Sequence, residues 1–350
     1  MDNFEVLNHY SIPSDVLMDM LDTYRLLGMN NEYLKKIGDR ESYMFKETIE
    51  KDTYYACRLL NIDVSDNRLR LLITKNSVPK NKQEEVVSGI KKVFLMLHEN
   101  AKKNFDYNGS DILDNLNFIF GKRSVQFSKD TITHKGNHPI TVRLYHENVL
   151  EKYHNYRNLK KFEPIFLSVV CYMEIANLKP YTAHTDFGRI LALYYMMLLS
   201  DVLVFKYVSF MEIYSKFKDE FEDSVKRGSI NYLDNYLQTT DSVRIVFKMI
   251  KEAYGILEKQ IKEFYYADRA YKSDVIEDTI LKKMPEYFTK DDIRRLHQNA
   301  SDSTINRILF KLRDQGIIMP LGTGRSARWM RLVSANDPKI LFGVDYEDVD

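Results

Sequence analysis

The chain has 350 residues, 44% of them apolar and 29% charged, so it is long enough for about two domains and apolar enough for a core. The 51 lysine and arginine residues nearly balance the 50 aspartate and glutamate residues, which excludes a strongly basic or acidic chain. Two distant cysteines, Cys57 and Cys171, exclude a disulfide framework and a cysteine-based metal site, and they fit a reducing compartment.

The first residues and the longest apolar run bear on where the protein resides. The N-terminus lacks a basic start followed by an apolar stretch, so no secretion signal is predicted. The longest apolar run, residues 190–199, is too short to span a bilayer and is followed by Ser200 and Asp201. We therefore expect a cytoplasmic protein with no membrane partner, in which this run forms a buried helix.

Apolar residues at helical spacing dominate the chain as far as residue 266. They recur every three or four residues over three early segments, 13–50, 53–73 and 82–97. The same pattern returns over residues 145–266 and is interrupted by few breakers. These segments predict a mostly α fold.

Residues 109–141 lack the helical spacing of apolar residues found in the segments on either side. Glycine, asparagine and proline residues separate short β-branched pieces at 124–127 and 140–144. Such pieces bounded by turn residues are typical of paired strands. This stretch therefore predicts a small β-hairpin, or flap.

The stretch from Lys179 to Arg189 carries the clearest sign of chemistry. It reads as a polar turn from Lys179 to Phe187 between two apolar helices, the second starting near Gly188. A turn that enters a buried helix leaves backbone N–H groups unpaired, and with the helix dipole they form an anion site. Arg189 opposes that dipole and needs an anionic partner. The alternative is a helix–turn–helix of the core in which Arg189 pairs with an internal carboxylate.

This stretch resembles the signature of the Fic family, in which a helix ends in His-Pro-Phe-x-Asp/Glu-Gly-Asn-Gly-Arg and leads into an apolar helix. Pro180, Gly188 and Arg189 match it, Tyr181 stands for the aromatic residue, and the spacing contains two extra residues. The resemblance covers roughly residues 50–265. It implies a Fic-like helical bundle in which the hairpin is the flap.

The resemblance assigns roles to residues of the motif, and the departures weaken those roles. Lys179 stands for the general-base histidine, and a protonated lysine accepts no proton unless burial lowers its pKa. The residues that would hold the phosphates of ATP are Phe187, Gly188 and Arg189. Asp186, one step from the position of the magnesium-binding acid, is the candidate metal ligand. Transfer of AMP with ATP and magnesium is therefore doubtful.

His184 offers a second candidate base within the turn. It lies five residues before Arg189, close to where a substrate would sit. The alternative is a solvent-facing turn histidine without a catalytic role, which we favour.

An upstream segment provides an independent comparison with the family. Many Fic proteins carry an inhibitory helix whose glutamate pairs with a second motif arginine. In the matching segment, residues 55–61, Leu60 occupies the glutamate position and Asn61 follows it, while Ala192 replaces the second arginine. The loss of both partners of one interaction is what loss of ATP handling predicts.

The C-terminal part forms a separate compositional unit. Three helical patterns lie at 275–284, 289–296 and 301–315. Two β-like pieces follow them, at 317–321 and 328–333. This order resembles the winged helix–turn–helix family. We expect Thr289 and Ser301 to be N-caps and Gly316 to end the third helix in a left-handed conformation. The expected buried stripe of the third helix is Ile305, Ile308, Leu309 and Leu312.

Basic residues are concentrated in this unit. From residue 301 to 333 six basic and two acidic residues give a net charge of six minus two, or +4. Such clustering suggests phosphate contacts with duplex DNA. The candidate DNA-binding residues are Ser303, Thr304, Arg307, Lys311, Arg325 and Arg328. A protein–protein module is the alternative.

Together these segments predict four regions. They are an N-terminal helical segment (1–50), a Fic-like domain (51–268), a winged-helix domain (273–333) and a C-terminal tail (334–350).

Three hypotheses of function remain open. The first is a Fic-like protein without ordinary AMP transfer, serving as a regulatory or ligand-binding platform coupled to a winged-helix DNA-binding module. The second is an active adenylyltransferase that modifies a hydroxyl side chain of a protein target. The third is a transcription regulator or toxin–antitoxin component whose Fic-like domain only dimerises or senses a ligand. We favour the first, so whether the chain is an enzyme stays open, and we expect a homo-oligomer.

Overall fold

A computed structural model describes residues 3–9, 11–297, 300–322 and 327–332, with the backbone alone for residues 265–274. The described chain is mostly α-helical with two small antiparallel sheets, which confirms the predicted fold class. It divides into two compact units, residues 1–259 and 260–350. Among the helices of the described residues, none combines the length and the apolar character needed to cross a membrane.

Helices make up most of the first unit. In chain order they are α1 (Ser14–Gly28), α2 (Asn30–Ile37), α3 (Glu41–Leu59), α4 (Asp66–Lys75), α5 (Lys82–Lys102), α6 (Gly109–Phe120), α7 (Val142–Asn158), α8 (Pro164–Leu178), α9 (Thr185–Leu199), α10 (Phe210–Gly228) and α11 (Thr240–Lys282). Short 3-10 turns occupy Asn3–Asn8, Gly38–Arg40, Leu203–Lys206 and Tyr232–Asp234. Helix α11, the last in this series, continues across the boundary between the two units.

The buried core of the first unit is built around α8 and α9. Helix α8 is apolar on nearly every side, and almost all of its residues are buried. Pro164 occupies its first turn, and the Glu163 carboxylate caps it by accepting from the Phe166 N–H at 2.6 Å. It packs against α7 and α9, and α9 also packs against α5 and α6. The predicted buried helix over residues 190–199 is therefore part of α9.

One buried carboxylate joins three helices of this core. Asp52 on α3 accepts hydrogen bonds from the Tyr194 hydroxyl at 2.7 Å, the Ser209 hydroxyl at 2.6 Å and the Met211 N–H at 2.9 Å. Ser209 in turn caps α10 through the N–H of Glu212 at 3.0 Å. Complete burial raises the pKa of Asp52 to about 6, against the lowering effect of those hydrogen bonds. Asp52 thus fixes the start of α10.

The predicted hairpin is present, but its first strand lies elsewhere. Strands β1 (Thr131–Ile132) and β2 (Ile140–Thr141) pair antiparallel. Most of the glycine-containing stretch before them is helix α6, and the predicted strand at 124–127 makes one isolated bridge, from Phe127 to Tyr181. The second predicted strand ends at Thr141 because its hydroxyl caps α7.

In its described residues, the second unit contains the end of α11, two shorter helices and a three-stranded sheet. Its elements are β3 (Tyr287–Thr289), α12 (Lys290–Leu296), α13 (Asp302–Asp314), β4 (Ile318–Leu321) and β5 (Arg328–Arg331). The sheet order is β3-β5-β4, and both neighbouring pairs are antiparallel. The end of α11 contributes to the core of this unit through Ile276 and Ile280.

Local predictions for this unit agree with the structure. Thr289 caps α12 in a capping box with Asp292, Ser301 caps α13, and Gly316 has a φ of 68°. The predicted stripe of α13 is buried: Ile305, Ile308, Leu309 and Leu312.

Two details of the predicted order are wrong. Residues 275–284 do not form a separate helix, because α11 runs without a break from residue 240 to 282. Strand β3 was missed, since three residues are too few to display an alternating pattern.

Candidate functional site

A turn between α8 and α9 places the motif residues. Lys179 ends α8 with a φ of 46°, and His184 precedes α9 with a φ of 55°, so both residues are left-handed. Helix α9 begins at Thr185, three residues before the predicted start near Gly188, because the left-handed His184 already turns the chain into the helix. Gly188 and Arg189 therefore lie in the second turn of α9.

The segment before the hairpin holds this turn in place. The N–H of Ser128 donates to the Pro180 carbonyl at 2.8 Å, and the N–H of Thr182 donates to the Gln126 carbonyl at 2.9 Å. Tyr181 is buried, and its hydroxyl donates to the Gly109 carbonyl at 2.9 Å. The turn is thus fixed by backbone pairing on one side and by a buried phenol on the other.

A cleft of about 1050 Å³, here named the motif cleft, opens over this turn. Its walls are the turn, the first part of α9, one face of α10 and the end of α3. Six of the predicted site residues line it: Leu60, Lys179, His184, Asp186, Phe187 and Arg189. The structure therefore brings together residues that are more than a hundred positions apart in the chain.

Gly188 and Asn61 do not line the motif cleft. The side of Gly188 where a Cβ would project is filled by Ile112, Leu116 and Tyr181, each 3.3 Å from that position. The small residue serves the packing of α9 against α6 and leaves no backbone surface for a phosphate there. Asn61 follows the end of α3 in a left-handed conformation.

Arg189 pairs with carboxylates of the protein itself. Its Nη2 donates to Glu222 at 2.7 Å and lies 3.0 Å from Asp186, and its guanidinium stacks over the Tyr172 ring at 5.2 Å. Arg189 and Glu222 are only 12% and 13% exposed, whereas Asp186 is 85% exposed. The internal carboxylate expected in the alternative interpretation of Arg189 is therefore Glu222.

Glu222 also accepts two phenol donors. The hydroxyls of Tyr172 and Tyr214 each donate to its Oε1 at 2.5 Å, while Arg189 occupies its Oε2. Burial, above all, raises the pKa of both tyrosines, so they remain neutral donors. Burial acts to lower the pKa of Arg189, but the combined effect of Tyr172, Glu222 and Asp186 is larger. The pKa of Arg189 is therefore raised above its usual value, and the guanidinium stays charged.

Sequence reasoning missed Glu222, Tyr172 and Tyr214. Tyr172 lies in the apolar face of α8, while Glu222 and Tyr214 lie on α10 among ordinary amphipathic positions. These three residues come together around Arg189 only because α8, α9 and α10 pack against one another, and no local sequence pattern encodes that packing. The one usable signal was the need of Arg189 for an anionic partner.

His184 packs against an aromatic ring. Its imidazole stacks on Phe120 with centroids 3.5 Å apart and an interplanar angle of 3°. This partial burial lowers the pKa of His184, so the ring is neutral near pH 7. The residue is otherwise exposed at the cleft, which fits both a base and the solvent-facing turn histidine.

The arrangement is a poor fit for a protein-held magnesium ion. Asp186 is a single exposed carboxylate that already contacts Arg189. Within the part of the chain that the structure describes, no group of three or more His, Cys, Asp and Glu side chains could hold a metal. Magnesium is usually held by one or two carboxylates together with substrate phosphates, so any ion here would depend on a bound nucleotide. Lys179 is exposed, so it lacks the burial that a lysine base requires.

The second unit presents a polar surface on α13. Ser303, Thr304, Arg307 and Lys311 lie at spacings that place them on one side of the helix, and Lys311 pairs with Glu277 at 2.8 Å. Arg328 is exposed on β5.

One residue of the predicted DNA-binding set cannot be placed. Arg325 lies outside the residues that the structure describes.

Neither a family model nor a curated protein matches this sequence. Solved structures similar to this one include a Fic family protein from Desulfovibrio desulfuricans, with 10% identity, 92% of this chain and 97% of that chain covered and a TM-score of 0.49. A Fic domain containing signaling protein from Bacteroides thetaiotaomicron has 11% identity, covers 71% of this chain and 97% of that chain, and has a TM-score of 0.48. Fic-1 from C. elegans has 13% identity, covers 72% and 74%, and has a TM-score of 0.47.

Proposed function

We propose that this chain is a Fic-like protein that does not transfer nucleotides, that its motif cleft binds a ligand in a regulatory role, and that its second unit is a winged-helix DNA-binding module. The observation that carries the first part is the contact between Arg189 and Glu222 at 2.7 Å. The arginine that the family resemblance assigns to a phosphate is neutralised by the protein itself.

Charge in the cleft supports the same conclusion. Four basic and four acidic residues line it: Lys179, Arg189, Lys218, Lys226, Asp186, Asp219, Glu222 and Asp223. A triphosphate carries three to four negative charges and gains little from a wall whose charges cancel. Together with an exposed Lys179 in the position of the base, this balance disfavours transfer chemistry.

Labelled ATP tests the loss of transfer. We expect no label on the protein itself or on proteins of a bacterial lysate when the full chain is incubated with α-phosphate-labelled ATP and magnesium. Label that appears with the wild type and disappears in both His184→Ala and Asp186→Ala would instead support the active transferase, with His184 as base and Asp186 as metal ligand. The control variant is Asp223→Ala, which removes a carboxylate of the same cleft that has no assigned role.

The DNA-binding part rests on the second unit. Two helices followed by two paired strands, with β3 completing the sheet, is the arrangement that a winged helix uses to place its last helix in the major groove. The polar and basic residues of α13 lie on an exposed face, and Arg328 is exposed on β5. These positions suit contacts with phosphates on both sides of a groove.

Fluorescence anisotropy with a labelled random-sequence duplex tests this module. We expect affinity to fall steeply as salt rises, and the slope to decrease by about one in Arg307→Ala and in Arg328→Ala. Arg313→Ala is the matched control, because Arg313 pairs with Asp314 at 2.7 Å at the end of α13. The absence of binding to any duplex, or binding that ignores salt, would contradict the DNA-binding proposal.

A further inference from the structure

The donors around Glu222 form a site of their own. We infer that Tyr172, Tyr214 and Arg189 form a binding site for the carboxylate of a small-molecule ligand, and that Glu222 is the displaceable internal occupant of that site. These three donors are called the carboxylate site below. The inference rests on the proposed function in one respect, namely that the motif cleft binds a ligand.

The carboxylate site is built into the core and does not depend on Glu222 for its shape. Tyr172 is fully buried on α8, and Tyr214 is 1% exposed on α10. The rings of both tyrosines pack against Phe221, with centroids 5.1 and 6.3 Å away, and Arg189 lies over the Tyr172 ring. Because packing fixes the donors, they would remain directed at the same point if Glu222 moved away. The Tyr172 and Tyr214 hydroxyls lie 3.3 Å apart and can satisfy only one of their two O–H donors between themselves. A buried donor without a partner is unfavourable, so the vacated site would favour another acceptor.

Glu222 can leave the site without losing all its charged neighbours. Lys218 and Lys226 lie one helical turn before and after it on α10, and both line the motif cleft. Residues four apart on a helix lie next to one another, so an outward-turned Glu222 would lie beside Lys218 and beside Lys226, which already pairs with Asp223 at 3.2 Å. The site also faces the open cleft, because Glu222 and Arg189 both line it. A ligand can therefore replace Glu222 from the solvent side.

The geometry favours a carboxylate over a phosphate. One oxygen of Glu222 accepts two phenol donors at 2.5 Å, and the other accepts Arg189 at 2.7 Å. A planar group with two oxygens and one negative charge uses all three donors. A phosphate would bring further oxygens and more negative charge toward Asp186, Asp219 and Asp223, which line the same cleft. We therefore assign the site to ligands with a single carboxylate at the bound end.

Chemical rescue of Glu222→Ala tests this inference. In thermal unfolding we expect the variant to lose several degrees of Tm, and sodium formate or acetate to restore it with saturation at millimolar concentrations. Sodium chloride and sodium phosphate at equal ionic strength should restore less than a third of the loss. Adding Tyr172→Phe to Glu222→Ala should raise the half-saturating acetate concentration at least tenfold, because one of the three donors is removed.

The wild type and a neighbouring variant provide controls. Calorimetry should show acetate binding to the wild type at least tenfold more weakly than to Glu222→Ala, because Glu222 competes for the same donors. Asp223→Ala, which removes the next carboxylate of the helix and keeps Glu222, should respond to acetate no more than the wild type does. Equal affinity of wild type and Glu222→Ala would overturn the role of Glu222 as occupant.

The remaining outcomes also decide the inference. A folded Glu222→Ala that no carboxylate stabilises, or that chloride stabilises equally, overturns the carboxylate site, and stronger rescue by phosphate overturns the assigned ligand class. If the alanine variant does not fold, Glu222→Ser is titrated in the same way, since its short polar side chain also leaves the positions of the Glu222 carboxylate oxygens empty. None of these measurements involves ATP or DNA. Their failure is therefore distinct from the detection of nucleotide transfer or the absence of duplex binding, either of which would refute the proposed function.

Discussion

Arg189 on α9 and Glu222 on α10 are joined at 2.7 Å in a place where each side chain is almost enclosed. A charged pair in such surroundings gives its strongest signal when one partner is removed, because the other is left charged and poorly solvated. The pair also links two helices that both line the motif cleft. Its energetics can be measured without knowing the ligand.

Removing Arg189 should destabilise the first unit strongly. We expect Arg189→Met to lower the free energy of unfolding by about 3 kcal/mol, because Glu222 stays buried without its cation. The double variant Arg189→Met/Glu222→Met should recover part of this loss. Urea unfolding of the single and double variants measures the coupling. As a control, Lys226→Met breaks the exposed pair with Asp223 and should cost less than about 1 kcal/mol; an equal loss in both variants would contradict the burial argument.

Asp52 should give the stability curve a distinct pH dependence. Burial raises its pKa from 3.8 to about 6, so between these values the folded protein binds more protons than the unfolded chain. The Asp52 contribution to stability therefore falls as pH rises through this window and is constant above it. In Asp52→Asn the fall is absent. We expect the wild-type stability minus that of the variant to drop by on the order of 3 kcal/mol between about pH 4 and 7.

Urea unfolding at several pH values checks the Asp52 prediction. Burial lowers the pKa of His98 and of His146 to about 3, and these histidines change stability in the opposite direction over the same range. His146 is present in both proteins, so its effect cancels in the difference. His98 shares a hydrogen bond with Tyr194, a donor to Asp52, so wild-type Asp52 and Asp52→Asn are both measured in a His98→Gln background. Parallel curves for wild type and Asp52→Asn would contradict the prediction.

Two helical glycines should respond to alanine in opposite directions. At Gly228 an added Cβ would lie 2.1 Å from the backbone carbonyl of Gln238, so Gly228→Ala must shift the chain. We expect a loss of about 3 kcal/mol or more. At Gly255 nothing lies within 4 Å, so alanine should add up to about 1 kcal/mol through its higher helix propensity. Thermal unfolding of both variants tests these two predictions. A Gly228→Ala variant as stable as the wild type would show that the end of α10 does not pack against Gln238 as described.

Glu277 should weaken duplex binding by the second unit. Its carboxylate pairs with Lys311 at 2.8 Å and competes with a phosphate for that lysine. We expect Glu277→Gln to raise duplex affinity about threefold to tenfold at low salt, and Lys311→Ala to abolish that gain. Asp278→Asn, which changes an acid that pairs with Lys282 on α11, is the control. A gain of the same size in the control would show a general charge effect.

The sequence allowed local features of the second unit to be predicted. Caps at Thr289 and Ser301 and the left-handed Gly316 depend on a few adjacent residues, so their signals are short-range. The continuity of α11 was not predicted, although it could have been, because residues 256–284 contain neither glycine nor proline. We instead placed a domain boundary near residue 273 because the composition of the chain changes there.

The candidate site was less predictable because it depends on tertiary packing. Helical periodicity identified the two helices beside the turn, and the charge of Arg189 implied an anionic partner. The identity of that partner depends on how α10 crosses α9, with 33 residues between Arg189 and Glu222. The early start of α9 depends on the backbone of His184, which its residue type did not reveal.

The turn between α8 and α9 is closed at each end by a residue with positive φ, Lys179 at 46° and His184 at 55°. Neither is glycine or asparagine, the residues best suited to this conformation, and each such position costs on the order of 1 kcal/mol. Replacing the exposed Lys179 with glycine or asparagine should therefore make the protein harder to unfold while removing a cationic side chain from the mouth of the cleft. At His184 the same replacement also removes the stacking on Phe120, which offsets the gain. Thermostability could therefore be engineered at Lys179.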